Sequence, residues 1–186
     1  MQESRPKYGH NTYTDYLNRD DDIRFELIEG EVYMMTAPSR AHQEILIEIT
    51  GQFRDYLKGE VSKVLIAPFA VRLNAEQGDD TVLEPDLLVV CDMEKLDDKS
   101  CIGAPDLVVE ILSPSTLSRD KVYKLNQYLM AGVREYWIVD PDGKNVAVHI
   151  LDNGKYVIYA YSDEATINVH VLEGCTISLP DVFAAI

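Results

Sequence analysis

Apolar positions along the chain change their period several times, and the changes mark out the elements. In RFELIEGEVYMM, residues 24–35, Phe25 and Leu27, then Val32 and Met34, alternate with other residues on either side of Glu29-Gly30, as in a β-hairpin. A short polar start precedes it, with a helix predicted near Thr12 to Asn18. Pro38-Ser39 then opens a helix that Ser39 can cap, with Ile45, Ile49, Phe53 and Tyr56/Leu57 at helical spacing and Gly59 as its stop. Strands are predicted at Lys63–Ile66 and Phe69–Leu73. After the polar stretch Asn74–Thr81 come two continuous apolar runs of the buried-strand type, Asp86–Cys91 and Asp106–Leu112, each behind a proline. A helix follows from about Leu117 to Met130, closed by Gly132. Glu135–Val139 is rich in strand formers. The turns Asp140-Pro-Asp-Gly143 and Asp152-Asn-Gly154 imply an antiparallel meander through Ile150 and Tyr156–Tyr161. One more strand is expected near Val169–Leu172, with a short end segment after Pro180.

This order predicts a single α/β domain over residues 1–186, a central mixed β-sheet flanked by helices. The chain is 46% hydrophobic and 26% charged, enough for a core beneath a solvated surface. No apolar run approaches the ~18 residues that a bilayer span needs, so no membrane role is expected. The start MQESRPKYGH has no apolar secretory core, and Cys91, Cys101 and Cys175 are odd in number and far apart. Reduced thiols and a cytoplasmic location follow as expectations. The net charge of −15 argues against non-specific coating of nucleic acid, but it leaves room for a local basic patch or bridging metal ions.

Candidate chemistry centres on Glu110. It stands inside Leu-Val-Val-Glu-Ile-Leu, where an ionised carboxylate is costly to desolvate unless it is paired, protonated or metal-bound. Asp86 opens the other buried-type strand and can reach the same ion if the two strands are neighbours. Asp106 is four residues from Glu110, about 13 Å along a strand, too far to share an ion with it. Two hard carboxylates without a His or Cys pair suit Mg²⁺ or Mn²⁺ better than zinc, which points to phosphoester chemistry. A cation for the developing charge is available on the following helix. Asp120, Lys124 and Tyr128 are four apart and share a face of an α-helix, so Lys124 can point back to the acids with Asp120 and Tyr128 flanking it. Residues 113–135 carry net +2, a basic island in an acidic chain. His42 on the first long helix and Glu31 in the hairpin are supporting candidates. A Walker loop, GxGxxG, GxSxG, CxxC and HExxH are all absent.

Taken together, RFELIEGEVYMM, PSRAHQEI, EPDLLVV, APDLVVEILSPST with Asp120, Lys124 and Tyr128, and AGVREYWIVDP resemble the Uma-type restriction-endonuclease family over about residues 20–175. The resemblance implies the PD-(D/E)XK restriction endonuclease-like fold and a Mg²⁺-dependent endonuclease acting on DNA. Under it, Asp86 is the PD aspartate and Glu110 the second acid, and both hold the metal. The lysine expected two residues after that acid is Leu112 here, and Lys124 fits a lysine moved to the following helix. Glu31 and His42 match family positions without an assigned role, and Glu44 is a further helix-borne acid. A homodimer is expected from the resemblance alone. The alternative is a degenerate nuclease fold serving as a binding or assembly module. The missing lysine at 112 and the acidic surface favour it.

Overall fold

The computed structural model describes residues 10–18, 24–113, 119–184 and 186, with backbone only at 119–121. Helix α1 (Tyr13–Leu17) leads into the hairpin β1 (Phe25–Ile28) and β2 (Glu31–Met34), turned at Glu29-Gly30 with positive φ at both residues. Helix α2 (Arg40–Tyr56) starts at Ser39, whose hydroxyl accepts from the His42 amide, 3.2 Å. Then follow β3 (Lys63–Ile66), β4 (Ala70–Arg72), β5 (Val82–Leu83), β6 (Leu87–Val90), β7 (Ser100–Ile102) and β8 (Leu107–Ile111). Helix α3 (Leu125–Ala131) is entered through a π-helical stretch, Arg119–Lys124. The remainder is β9 (Glu135–Asp140), β10 (Asn145–Asp152), β11 (Lys155–Ser162), β12 (Thr166–Asn168), β13 (Thr176–Ser178) and α4 (Leu179–Ala184).

The strands form a six-stranded mixed sheet, β11-β10-β9-β8-β6-β3, a five-stranded sheet, β2-β1-β5-β4-β7, and a small hairpin of β12 and β13. The six-stranded sheet is the middle layer. One face packs Leu87, Val109, Trp137 and Val148 against Ile45, Ile49 and Phe53 of α2 and Val182 and Phe183 of α4. Its other face meets the five-stranded sheet and α3, through Val108, Tyr136 and Ile138 against Ile28, Leu83 and Tyr128. Burial on both faces is why the 86–91 and 106–112 runs are continuously apolar.

Three features depart from the sequence reading. The single expected sheet is joined by a second one, built partly from the very short β5 and β7, whose two and three residues carry too little periodicity to announce a strand. The strand expected near Val169–Leu172 is instead the loop between β12 and β13. Val169 and Leu172 are apolar because they drop into the core. Arg119–Lys124 is π-helical where an α-helix was expected. Among the described residues no helix is long and apolar enough to cross a membrane, and all three cysteines are free.

A pH response follows from the core. His149 is buried, and its Nδ1 donates to the Tyr136 carbonyl at 3.1 Å. Burial lowers its pKa from the ordinary histidine value. The unfolded imidazole therefore takes a proton at a higher pH than the folded one, and stability is lost as pH falls below about 6.5. Glu135, pushed up by burial, acts in the opposite sense nearer the carboxylate range. Urea unfolding midpoints should therefore fall on acidification from about pH 7.5 to about pH 5.5, and His149→Gln should flatten that decline.

Candidate active site

Strand β8 carries Glu110 in the centre of the molecule, 3% exposed. Its antiparallel neighbour β6 pairs Leu87 with Val109, and that register carried one residue back sets Asp86 across from Glu110. Asp86 sits in the bend that leads into β6, where its Oδ2 accepts the Ile111 amide (2.8 Å) and meets His42 Nε2 (3.1 Å). Among the described residues both hydrogen bonds of this carboxylate fall on one oxygen. Asp86, Glu110, His42, Lys124 and Arg24 line a common cleft beside the start of α2.

Lys124 lies at the cleft floor, only 2% exposed. Its Nζ is 2.7 Å from Glu110 Oε1 and 2.9 Å from Glu26 Oε1, so one ammonium is shared by two buried carboxylates. Tyr128 donates to the same Glu110 oxygen at 2.8 Å. Burial, with Glu110 and Glu26 nearby, holds the Tyr128 phenol well above its usual pKa, so it stays a donor. Tyr128 thus holds the same Glu110 oxygen that Lys124 meets. The π-helical stretch before α3 ends at Lys124 itself, a turn ahead of Tyr128, a feature often found at functional sites.

Around this centre runs a second set of contacts. The Glu84 amide donates to Glu26 Oε1 at 3.0 Å. The Glu84 carboxylate takes two donors from Arg24, Nε at 2.9 Å and Nη2 at 2.5 Å, and also the Tyr16 hydroxyl. The Arg24 side chain remains 41% exposed.

Other sequence candidates lie elsewhere. Glu31 is exposed on β2 and accepts from the Tyr33 hydroxyl. Glu44 pairs with Arg40 on α2 at 2.8 Å, away from the cleft lining. The Asp120 side chain lies outside the described residues. Asp106, at the far end of β8, accepts the Cys91 amide and pairs with Arg134 (3.1 Å), which ties down the strand start. The sequence reading missed Glu26, fully buried on β1, and with it Glu84 and Arg24. The signal for Glu26 was the same as for Glu110, an acid between apolar strand residues. Hairpin alternation hid it by suggesting a solvent-facing position, whereas β1 is an inner strand buried at all four residues.

Residues 11–180 match the model of the Uma2 family, described as "Putative restriction endonuclease". The chain belongs to this family. A crystal structure described as "a putative nuclease belonging to DUF820" from Anabaena variabilis superposes with a TM-score of 0.76, covering 94% of this chain and 98% of that one at 19% identity. That likeness shows that the two chains share one fold, consistent with the restriction endonuclease-like fold expected from the sequence. An uncharacterized protein of Synechocystis sp. is 26% identical over 158 residues, 84% of this chain and 81% of its own length.

Among the described residues no three His, Cys, Asp or Glu side chains come together at metal-holding distance. An ion in this cleft would therefore rest on two carboxylates, Asp86 and Glu110. That donor set fits Mg²⁺ or Mn²⁺, which keep several waters and take substrate phosphate oxygens as ligands.

Proposed function

We propose that this Uma2-family protein is a divalent-metal-dependent endonuclease that hydrolyses phosphodiester bonds, with DNA as its substrate. The observation that carries the reading is that Asp86, bound to the Ile111 amide at the end of β8, and Glu110 of β8 both line one cleft that also holds Lys124 and Arg24. Asp86 and Glu110 would hold Mg²⁺ or Mn²⁺, which supplies a bound water of lowered pKa and stabilises charge on the transferring phosphorus. His42 and the Ile111 amide aim Asp86, while Tyr128 and Lys124 aim Glu110. Lys124 offsets part of the charge of Glu26 and Glu110 and sets the field at the cleft floor. Arg24, half-exposed at the rim and steadied by Glu84, receives a substrate phosphate. A cytoplasmic setting goes with the free thiols.

The direct test incubates purified protein with supercoiled plasmid, single- and double-stranded DNA and RNA in Mg²⁺ or Mn²⁺. Nicking of DNA is expected. If no substrate is nicked and neither ion raises the melting temperature, the reading fails. Arg24→Ala should weaken DNA binding about tenfold, the loss of roughly one charge-assisted contact. Fluorescence anisotropy in Ca²⁺ should also show the salt dependence reduced by about one phosphate contact.

A second reading, a metal-blind binding or assembly module, is favoured by two observations. The Lys124 ammonium is already engaged by two buried carboxylates, and Leu112 stands where the parent motif has its lysine. A protein whose melting ignores Mg²⁺ and Mn²⁺ but which still binds DNA without cutting it would select this reading.

A further inference from the structure

Strand β11 closes one end of the six-stranded sheet, and among the described residues no strand pairs with its outer edge. It is a long edge. Eight residues pair with β10 in unbroken register, Asn145↔Ser162 through Asp152↔Lys155, with no bulge to turn the edge aside. Its sequence, Lys-Tyr-Val-Ile-Tyr-Ala-Tyr-Ser, is that of an interior strand. Tyr161 packs into the core on one face of the sheet and Tyr156 into the core on the other. Between them Val157, Ile158 and Tyr159 are 41%, 61% and 50% exposed. Exposed edges ordinarily carry lysine, proline or a bulge to prevent pairing, and Tyr156–Tyr161 has none of them. A strand apolar on both faces belongs inside a sheet.

We propose that β11 pairs edge to edge with β11 of a second copy of this chain, antiparallel, extending the sheet across a two-fold axis. The charges at its ends argue for a second copy as the occupant. Lys155 opens the strand, and Asp163 and Glu164 follow directly after it. Antiparallel pairing about Tyr159 sets Lys155 beside Asp163 of the partner subunit at both ends of the contact. A parallel arrangement would bring like charges together. The same register sets Val157 across from Tyr161 of the partner subunit and Ile158 across from Ala160 of the partner subunit, so both apolar layers continue through the axis. Such a contact is self-complementary, as a two-fold interface must be, and its main-chain hydrogen bonds are those of strand addition. Because β9 and β10 separate β11 from β8, the contact leaves the Asp86–Glu110 cleft open. This inference therefore stands or falls apart from the nuclease reading.

Sedimentation of the full chain at micromolar concentration should give twice its 21.0 kDa mass. Ile158→Lys, which places a charge at the exposed centre of the edge, should yield monomer with unchanged circular dichroism and melting of the subunit. Lys155→Glu should weaken the dimer, and adding Asp163→Lys should restore it. A monomeric wild type, or a dimer indifferent to Ile158→Lys, overturns the proposal. A dimer lost in Ile158→Lys, but weakened by Lys155→Glu without recovery when Asp163→Lys is added, overturns the antiparallel register.

Discussion

Asp86→Asn and Glu110→Gln are each expected to reduce metal-dependent DNA cleavage by about 10³-fold, the factor that roughly 4 kcal/mol of lost transition-state stabilisation carries. Both substitutions are chosen to keep the fold. Asn at 86 retains an acceptor for the Ile111 amide, and Gln at 110 retains one for Tyr128 and Lys124. Each removes one of only two negative charges proposed to hold the ion. The thermal shift on adding Mn²⁺ should shrink in parallel with activity, while the melting temperature without metal changes little. Initial rates on plasmid and differential scanning fluorimetry with and without Mn²⁺ check both points. Full cleavage by either variant would detach the chemistry from this pair. Lost cleavage with an intact Mn²⁺ shift would mean that the ion sits elsewhere.

How far the site could be read from sequence depends on the kind of signal each residue leaves. Glu110 is visible because a lone acid within a continuously apolar strand breaks a hydrophobic run that burial on both sheet faces demands. Asp86 follows from the matching run that it opens. That β6 and β8 are neighbours is a tertiary fact that no local pattern encodes, and the antiparallel register supplies it. Glu26 leaves the same trace as Glu110, yet in a short hairpin the alternation rule assigns it to solvent. Only the insertion of β1 between β2 and β5 buries it. The spacing sets Asp120, Lys124 and Tyr128 on one face of an α-helix, but an α-helical face cannot tell which of them meets Glu110. The π-helical entry and the depth of the cleft floor decide that Lys124 and Tyr128 do. The large elements, α2 and the β9–β11 meander, were predictable because capping by Ser39 and the Asp-Gly and Asn-Gly turns act locally.

Lys124→Met is expected to be strongly destabilising, at about 3–5 kcal/mol, because it withdraws the cation shared by two buried carboxylates. The geometry separates this pair from ordinary ion pairs. The ammonium is 2% exposed and its partners Glu26 and Glu110 are 0% and 5% exposed at the side chain, so little water reaches them to take over the lost interaction. An exposed pair of the same composition would contribute below about 1 kcal/mol. For a chain of this length the loss corresponds to a fall in melting temperature of roughly 10 °C, a large part of a typical folding free energy. Two follow-up measurements identify the cause. Adding Glu26→Gln to Lys124→Met should recover stability, since it removes one of the two charges left behind, and the double-mutant cycle should show strong coupling. If Asp86 and Glu110 hold a divalent ion, Mn²⁺ should also stabilise Lys124→Met more than it stabilises the native chain, because the ion then supplies the positive charge that Glu110 has lost. A melting temperature within a degree or two of the native value would show that Lys124 is a peripheral cation. The proposed charge balance at the cleft floor would then be wrong even if cleavage were confirmed.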